Sequence, residues 1–138
     1  MPATRDLDRL LAALHATRQP GAYVFCVIPP GVDVARVPAI GIFREDEGVT
    51  AILSDASAVA LGLPVVFRAA WITLSVHSDL EAVGLTAAVA AALATEGISC
   101  NVVAAVHHDH LFVPIDRADA AIEALDRLQA SSRGASSG

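Results

Sequence analysis

The chain has 138 residues, 54% of them apolar but only 4% aromatic, and its 9 basic residues, all arginine, face 15 acidic ones for a net charge of −6. A chain of this length buries roughly 68% of its unfolded surface, so one domain or two closely packed halves needs no covalent staple, and an Ala, Val, Leu and Ile core suits sheets under helices. The acidic balance works against nucleic-acid binding, and the absence of lysine excludes a Schiff-base enzyme and a Walker-type phosphate loop.

Taken in chain order, Met1 precedes a charged segment rather than an apolar signal. No apolar run reaches the roughly 18 residues a bilayer span requires, so a soluble, cytoplasmic protein is expected. Leu7, Leu10, Leu11 and Leu14 recur at helical spacing and predict an amphipathic helix over residues 6–17, with Gln19, Pro20 and Gly21 ending it. Residues 22–28 (AYVFCVI) read as a strand closed by Pro29, Pro30 and Gly31. Residues 38–43 and 49–53 read as a hairpin whose turn carries Glu45, Asp46, Glu47 and Gly48. Ser54 or Asp55 then caps a short helix through Leu61, terminated by Gly62 and Pro64.

Residues 65–76 are extended. After a polar turn, Leu85, Ala88, Val89, Ala92 and Leu93 form the stripe of a helix that ends at Glu96 and Gly97. Residues 98–106 are too apolar for a solvent-facing strand and predict a buried one, and residues 111–113 predict another after a His/Asp turn. Asp116 caps a last helix with Ala118, Ala121, Ile122, Leu125 and Leu128 buried, while the Ser- and Gly-rich residues 130–138 read as a disordered tail. The first half lacks a helix after its first strand, and the amino-terminal helix is expected to cover that vacancy. Cys26 and Cys100 sit in apolar runs of different halves and read as reduced, buried thiols.

Residues 72–106 resemble the core of an ACT domain. The run VGLT (83–86) stands where that family usually has Pro-Gly-Leu-Leu at its strand-to-helix turn, and LATEGIS (93–99) is similar to its helix exit. More closely, PGAYVFC (20–26), FREDEGVT (43–50), LSVHSDLEAVGLTAAV (74–89) and ISCNVVAAVHHDHLFVP (98–114) resemble a bacterial family of tandem ACT-like proteins, over about residues 7–128. Val83 replaces the usual proline, and Glu81 stands where many members have Asp. The resemblance implies an α+β fold of two ferredoxin-like, ACT-type halves related to βαββαβ, sharing an antiparallel sheet with helices packed on one face and the other face open for dimerisation. The halves would be residues 1–64, degenerate, and 65–129. It also implies amino-acid sensing without an attached catalytic domain, a homodimer, and output through an unidentified protein partner.

The turn between residues 77 and 84 carries the candidate ligand site. Ser78 and Glu81 have capping-box spacing, which alone would account for them. The same turn suits a ligand: main-chain amides for a carboxylate, Asp79 or Glu81 for an ammonium group, and Gly84 for close backbone approach. The expected ligand contacts are His77, Ser78, Asp79, Leu80, Val83, Gly84, Leu85 and Thr86, joined by Asn101, whose amide interrupts an apolar strand and needs partners. His107, His108 and His110 raise a metal-dependent enzyme as a rival, but strand alternation puts only His108 and His110 on one side, a two-histidine clamp short of a catalytic zinc set. No metal or cofactor is therefore expected. The acidic run at residues 45–47 reads as a solvated turn. No G-x-S-x-G or activated cysteine context supports a hydrolase, so a non-enzymatic protein is expected, with a ligand-free interaction module as the remaining rival.

Overall fold

The computed structural model describes residues 2–75 and 84–137, with side chains described for residues 7–75 and 84–132. The chain forms two compact units, one continuous from Pro20 to Ala70 and one split between Met1–Gln19 and Trp71–Gly138. Strand β5, Val65–Ser75, contributes its first residues to the continuous unit and its last to the split one.

In the continuous unit, β2 (Tyr23–Ile28), β3 (Gly41–Glu45), β4 (Gly48–Ser54) and the first residues of β5 pair in the order β3-β4-β2-β5, antiparallel throughout. Helix α2 (Asp55–Leu61) begins at Ser54, whose hydroxyl accepts from the Ser57 amide at 3.1 Å, and stops at Gly62 in the left-handed region with φ 66°. Both ends follow from local chemistry: a hydroxyl satisfies one orphan amide, and only glycine enters the left-handed turn without penalty. Alternation along β2 and β4 sends Val24, Cys26, Ile28, Ala51 and Leu53 into a core with Val37, Ala58 and Leu63. This strand order with a helix before the last strand is ferredoxin-like. The place of the first helix is taken by a 3-10 turn at Val34–Arg36, fastened by the Asp33 carboxylate accepting from the Ala35 amide at 3.0 Å.

The split unit orders its strands β1-β5-β7-β6, with β1 at His15–Arg18, β6 at Asn101–Ala104 and β7 at Asp109–Pro114. Helix α3 spans Leu85–Thr95, and α4 runs from Ala118 to Ser137. From β5 onward this is β-α-β-β-α, and β1 from the amino terminus adds the missing fourth strand beside β5. Helix α1 (Pro2–Ala12) packs on α4 and α3. Ile72 and Leu74 on β5, Leu111 and Val113 on β7, and Leu85, Val89 and Leu93 on α3 are buried, so the helices cover one sheet face.

Several expectations need correction. The helix over residues 6–17 stops at Ala12, because residues 15–18 pair with residues 72–75 of β5, an edge that would otherwise leave main-chain groups unpaired. Leu14 is buried all the same, which is why its spacing looked helical. Helix α1 packs within the split unit, on α4 and α3. The long buried strand expected over residues 98–106 shrinks to β6, an edge strand that is largely exposed because only β7 flanks it. Beyond Ala130, where Ser and Gly content suggested disorder, α4 continues through Ser137.

Candidate functional site

Of the expected ligand contacts, His77, Ser78, Asp79, Leu80 and Val83 lie outside the described residues, as does Glu81. Gly84, Leu85 and Thr86 open α3. Gly84 is the N-cap at φ 96° and has no side chain of its own with which to cap the helix start; the capping box expected of Ser78 and Glu81 lies outside the described residues. The Ala88 amide donates to the Gly84 carbonyl at 2.9 Å, the first bond of the helix. The amides of Leu85, Thr86 and Ala87 precede that bond and have no intrahelical acceptor available by geometry. A side chain at Gly84 would meet Leu7 Cδ2 of α1 at 3.2 Å. Glycine is thus required twice, for its left-handed backbone and for the approach of α1. Leu85 is buried and Thr86 is exposed.

Asn101 is elsewhere. It pairs with Phe112 across β6 and β7, and Val103 pairs with His110, so these four share one sheet face. On β1, Arg18 pairs with Ile72 in register and forms a 3.6 Å ion pair with Asp119 of α4, which assigns the Ile72 side to the helices. Trp71 and Thr73 alternate with Ile72 and touch His110, so Asn101 lies on the helix-free face and α3 on the other. Asn101 is exposed rather than buried, and the structure does not bring it to the α3 start.

That helix-free face holds a polar cluster the sequence reading missed. Gln19 Nε2 donates to Thr73 Oγ1 at 3.0 Å, Thr73 Oγ1 lies 3.3 Å from His110 Nδ1, and Trp71 Nε1 donates to the same Nδ1 at 3.0 Å. An indole N–H can only donate, so His110 Nδ1 must accept and the ring proton sits on Nε2. Burial holds the His110 pKa below the ordinary histidine value, the neighbouring His108 lowers it further, and Asp109 opposes both. This arrangement works against the metal rival. Nδ1 is occupied, and Nε2 carries the proton a metal would have to displace. Among the described residues no group of three or more His, Cys, Asp or Glu side chains is placed to hold an ion. The signal for this cluster was available in the alternation of β5 and β7, which sets Trp71 and Thr73 on one side and His110 and Phe112 on one side.

The remaining candidates are plain. Glu45, Asp46 and Glu47 are exposed, with Glu45 Oε1 accepting from Thr50 Oγ1 at 2.8 Å, as in a solvated turn. An open cleft of about 290 Å³ lies between α3 and α4, rimmed by Glu96 and Arg127 in a 2.9 Å ion pair. Cys26 is buried and Cys100 half-buried, both free; burial raises the Cys26 pKa, with Asp55 adding to it, and burial pushes Cys100 up to about 11. No helix among the described residues is long and apolar enough to cross a membrane.

Residues 2–70 match an ACT-domain family, and residues 66–127 match an ACT domain again. The chain belongs to the ACT-domain family. It carries two ACT domains in tandem, a regulatory, small-molecule-binding type of domain, and the two matches together span residues 2–127. A Vibrio cholerae protein of unknown function, described as a possible transport protein, is 41% identical over 92% of this chain and 98% of its own, with a TM-score of 0.83. The regulatory subunit of aspartate kinase from Thermus thermophilus shares the fold at 13% identity and a TM-score of 0.61, covering 82% of this chain and 95% of that one. Escherichia coli aspartokinase III, solved in complex with aspartate and ADP, shares it at 16% identity and a TM-score of 0.57, covering 83% of this chain and 32% of that one. No curated protein matches the chain.

Proposed function

We propose that this tandem ACT protein reversibly binds a small amino acid or related metabolite and passes the signal to a protein partner, acting as a cytoplasmic regulator rather than an enzyme. The observation that supports the reading is the start of α3 at a left-handed glycine, which among the described residues leaves the first helical amides without a side-chain cap, in a chain built of ACT domains. The ligand carboxylate would sit on the amides of Leu85, Thr86 and Ala87, with His77, Ser78, Asp79, Leu80 and Val83 as its further contacts and either Asp79 or Glu81 as the partner of the ammonium group. Asn101, on the other sheet face, is assigned to the seam with a second copy of the chain. Regulation then follows from linkage: a ligand favours one arrangement of the assembly only by its differential affinity for it.

Amino acids are the first class to screen, because the fold is shared with aspartate-kinase regulatory domains. A thermal-shift panel of the twenty amino acids and common nucleotides tests the proposal. One amino acid at 100 times its dissociation constant adds about 2.7 kcal/mol to native stability, and a flat panel would remove the sensing reading. The second reading, a ligand-free interaction module, draws on the continuous unit. Nine of the eleven exposed large apolar side chains among the described residues lie there, Val66 at 74%, Val59 at 73% and Phe43 at 71% exposure being the most open of them. A flat panel with concentration-dependent assembly would favour that module.

A further inference from the structure

The Trp71–His110 contact has an asymmetry that the ligand reading does not use. Trp71 is the protein's one tryptophan, and its N–H can donate but never accept. It needs an unprotonated His110 Nδ1, 3.0 Å away. Placing a proton on Nδ1 sets two N–H groups against each other in a half-buried site. Thr73 can turn its hydroxyl to suit either form, but the indole cannot. The ring of Trp71 lies over Phe112, centroids 6.3 Å apart and planes 19° from parallel, and Phe112 is only 2% exposed.

We propose that the Trp71–His110 pair is an acid-opened latch: protonating His110 breaks the indole's bond to Nδ1 and lets the Trp71 ring move off Phe112. Among the described residues, the titratable groups around His110 are few. On its own strand His108 shares its face with ring centroids 6.2 Å apart, and Asp109 alternates to the other side. Trp71 and Thr73 on β5, with Val103 and Asn101 on β6, carry no titrating group. On β1, beyond β5, His15 shares this face opposite Ser75 and Arg18 turns to the helix side. His108 and Asp109 therefore set the midpoint, and His110 carries the switch.

A single tryptophan gives a direct readout. The indole N–H resonance of Trp71 and the ring resonances of His110 are followed in the whole protein from pH 8 to pH 5, with far-UV circular dichroism recorded alongside. The latch predicts that the indole resonance shifts and broadens with the midpoint of His110 while the circular dichroism stays constant. His110→Gln, whose side-chain oxygen accepts the indole N–H without titrating, abolishes the step, and His108→Gln keeps it at a higher midpoint. The proposal is overturned if His110 titrates with the indole resonance unmoved, if the step survives in His110→Gln, or if it coincides with loss of secondary structure. Should His110→Gln not fold, coincidence or separation of the two wild-type midpoints decides.

Discussion

Gly84 concentrates the physics of the site in one residue. Its φ of 96° disfavours any residue with a β-carbon, and such a β-carbon would also crowd Leu7 Cδ2 at 3.2 Å. Gly84→Ala is expected to destabilise the fold by about 1–2 kcal/mol, since an L-residue in the left-handed region carries that penalty before any crowding, and denaturant titration of the two proteins measures it. His110 predicts a pH effect with a definite sign. Its folded pKa is lowered relative to about 6.5 for a free imidazole, so the unfolded chain binds the proton first as pH falls. Its contribution is complete above the unfolded value and is lost progressively as pH drops through the depressed folded one. Midpoints of urea unfolding at pH 7.5 and 5.5 should therefore differ more in the wild type than in His110→Gln. Cys100 gives a third expectation: with its pKa near 11, its thiolate fraction at pH 8 falls about 100-fold below that of an ordinary thiol. Alkylation of the folded protein at Cys100 should slow by that factor against the urea-unfolded chain, and equal rates would show an open thiol.

The elements divide into those whose limits are set by local chemistry and those set by pairing. Helix α2 belongs to the first kind. Ser54 caps it, Gly62 ends it, and both were readable from residue type alone. Removing the cap with Ser54→Ala should cost about 1 kcal/mol, measured by thermal unfolding. The hairpin of β3 and β4 was equally legible, because Gly48 and the acidic turn separate two apolar runs. The amino-terminal segment belongs to the second kind. Its leucine spacing suits a longer helix, and only the open side of β5, sixty residues downstream in roughly numbered terms, turns residues 15–18 into a strand. Edge position likewise decided β6: apolar composition suggested burial, but a strand with one neighbour is exposed. At the site, glycine at the start of α3 was legible as a turn requirement. The face of Asn101 was not, because alternation fixes sides only relative to a register that depends on β7.

At the scale of the whole molecule, the chain order and the compact units differ in a way that matters for stability. The split unit takes its outer strand and one of its helices from the first nineteen residues. A chain beginning at residue 20 would lose the buried Leu11 and Leu14, each contributing about 1.5–3 kcal/mol, and would leave residues 72–75 of β5 without their β1 partner. It is expected to lose cooperative unfolding by circular dichroism, and a sharp two-state transition in that shortened chain would show that α1 and β1 are accessories. Under the proposed function, a ligand at the α3 start would be coupled to the unit's sheet through α1, which packs against Gly84 through Leu7 and is followed directly by β1. The most direct test of that role is the amide spectrum of Leu85, Thr86 and Ala87 during titration with the amino acid that stabilises the protein, beside the same titration with the amine lacking its carboxylate. The account predicts saturable shifts at these three amides with the amino acid and none with the amine; shifts confined to other residues, or equal shifts with both compounds, would contradict it.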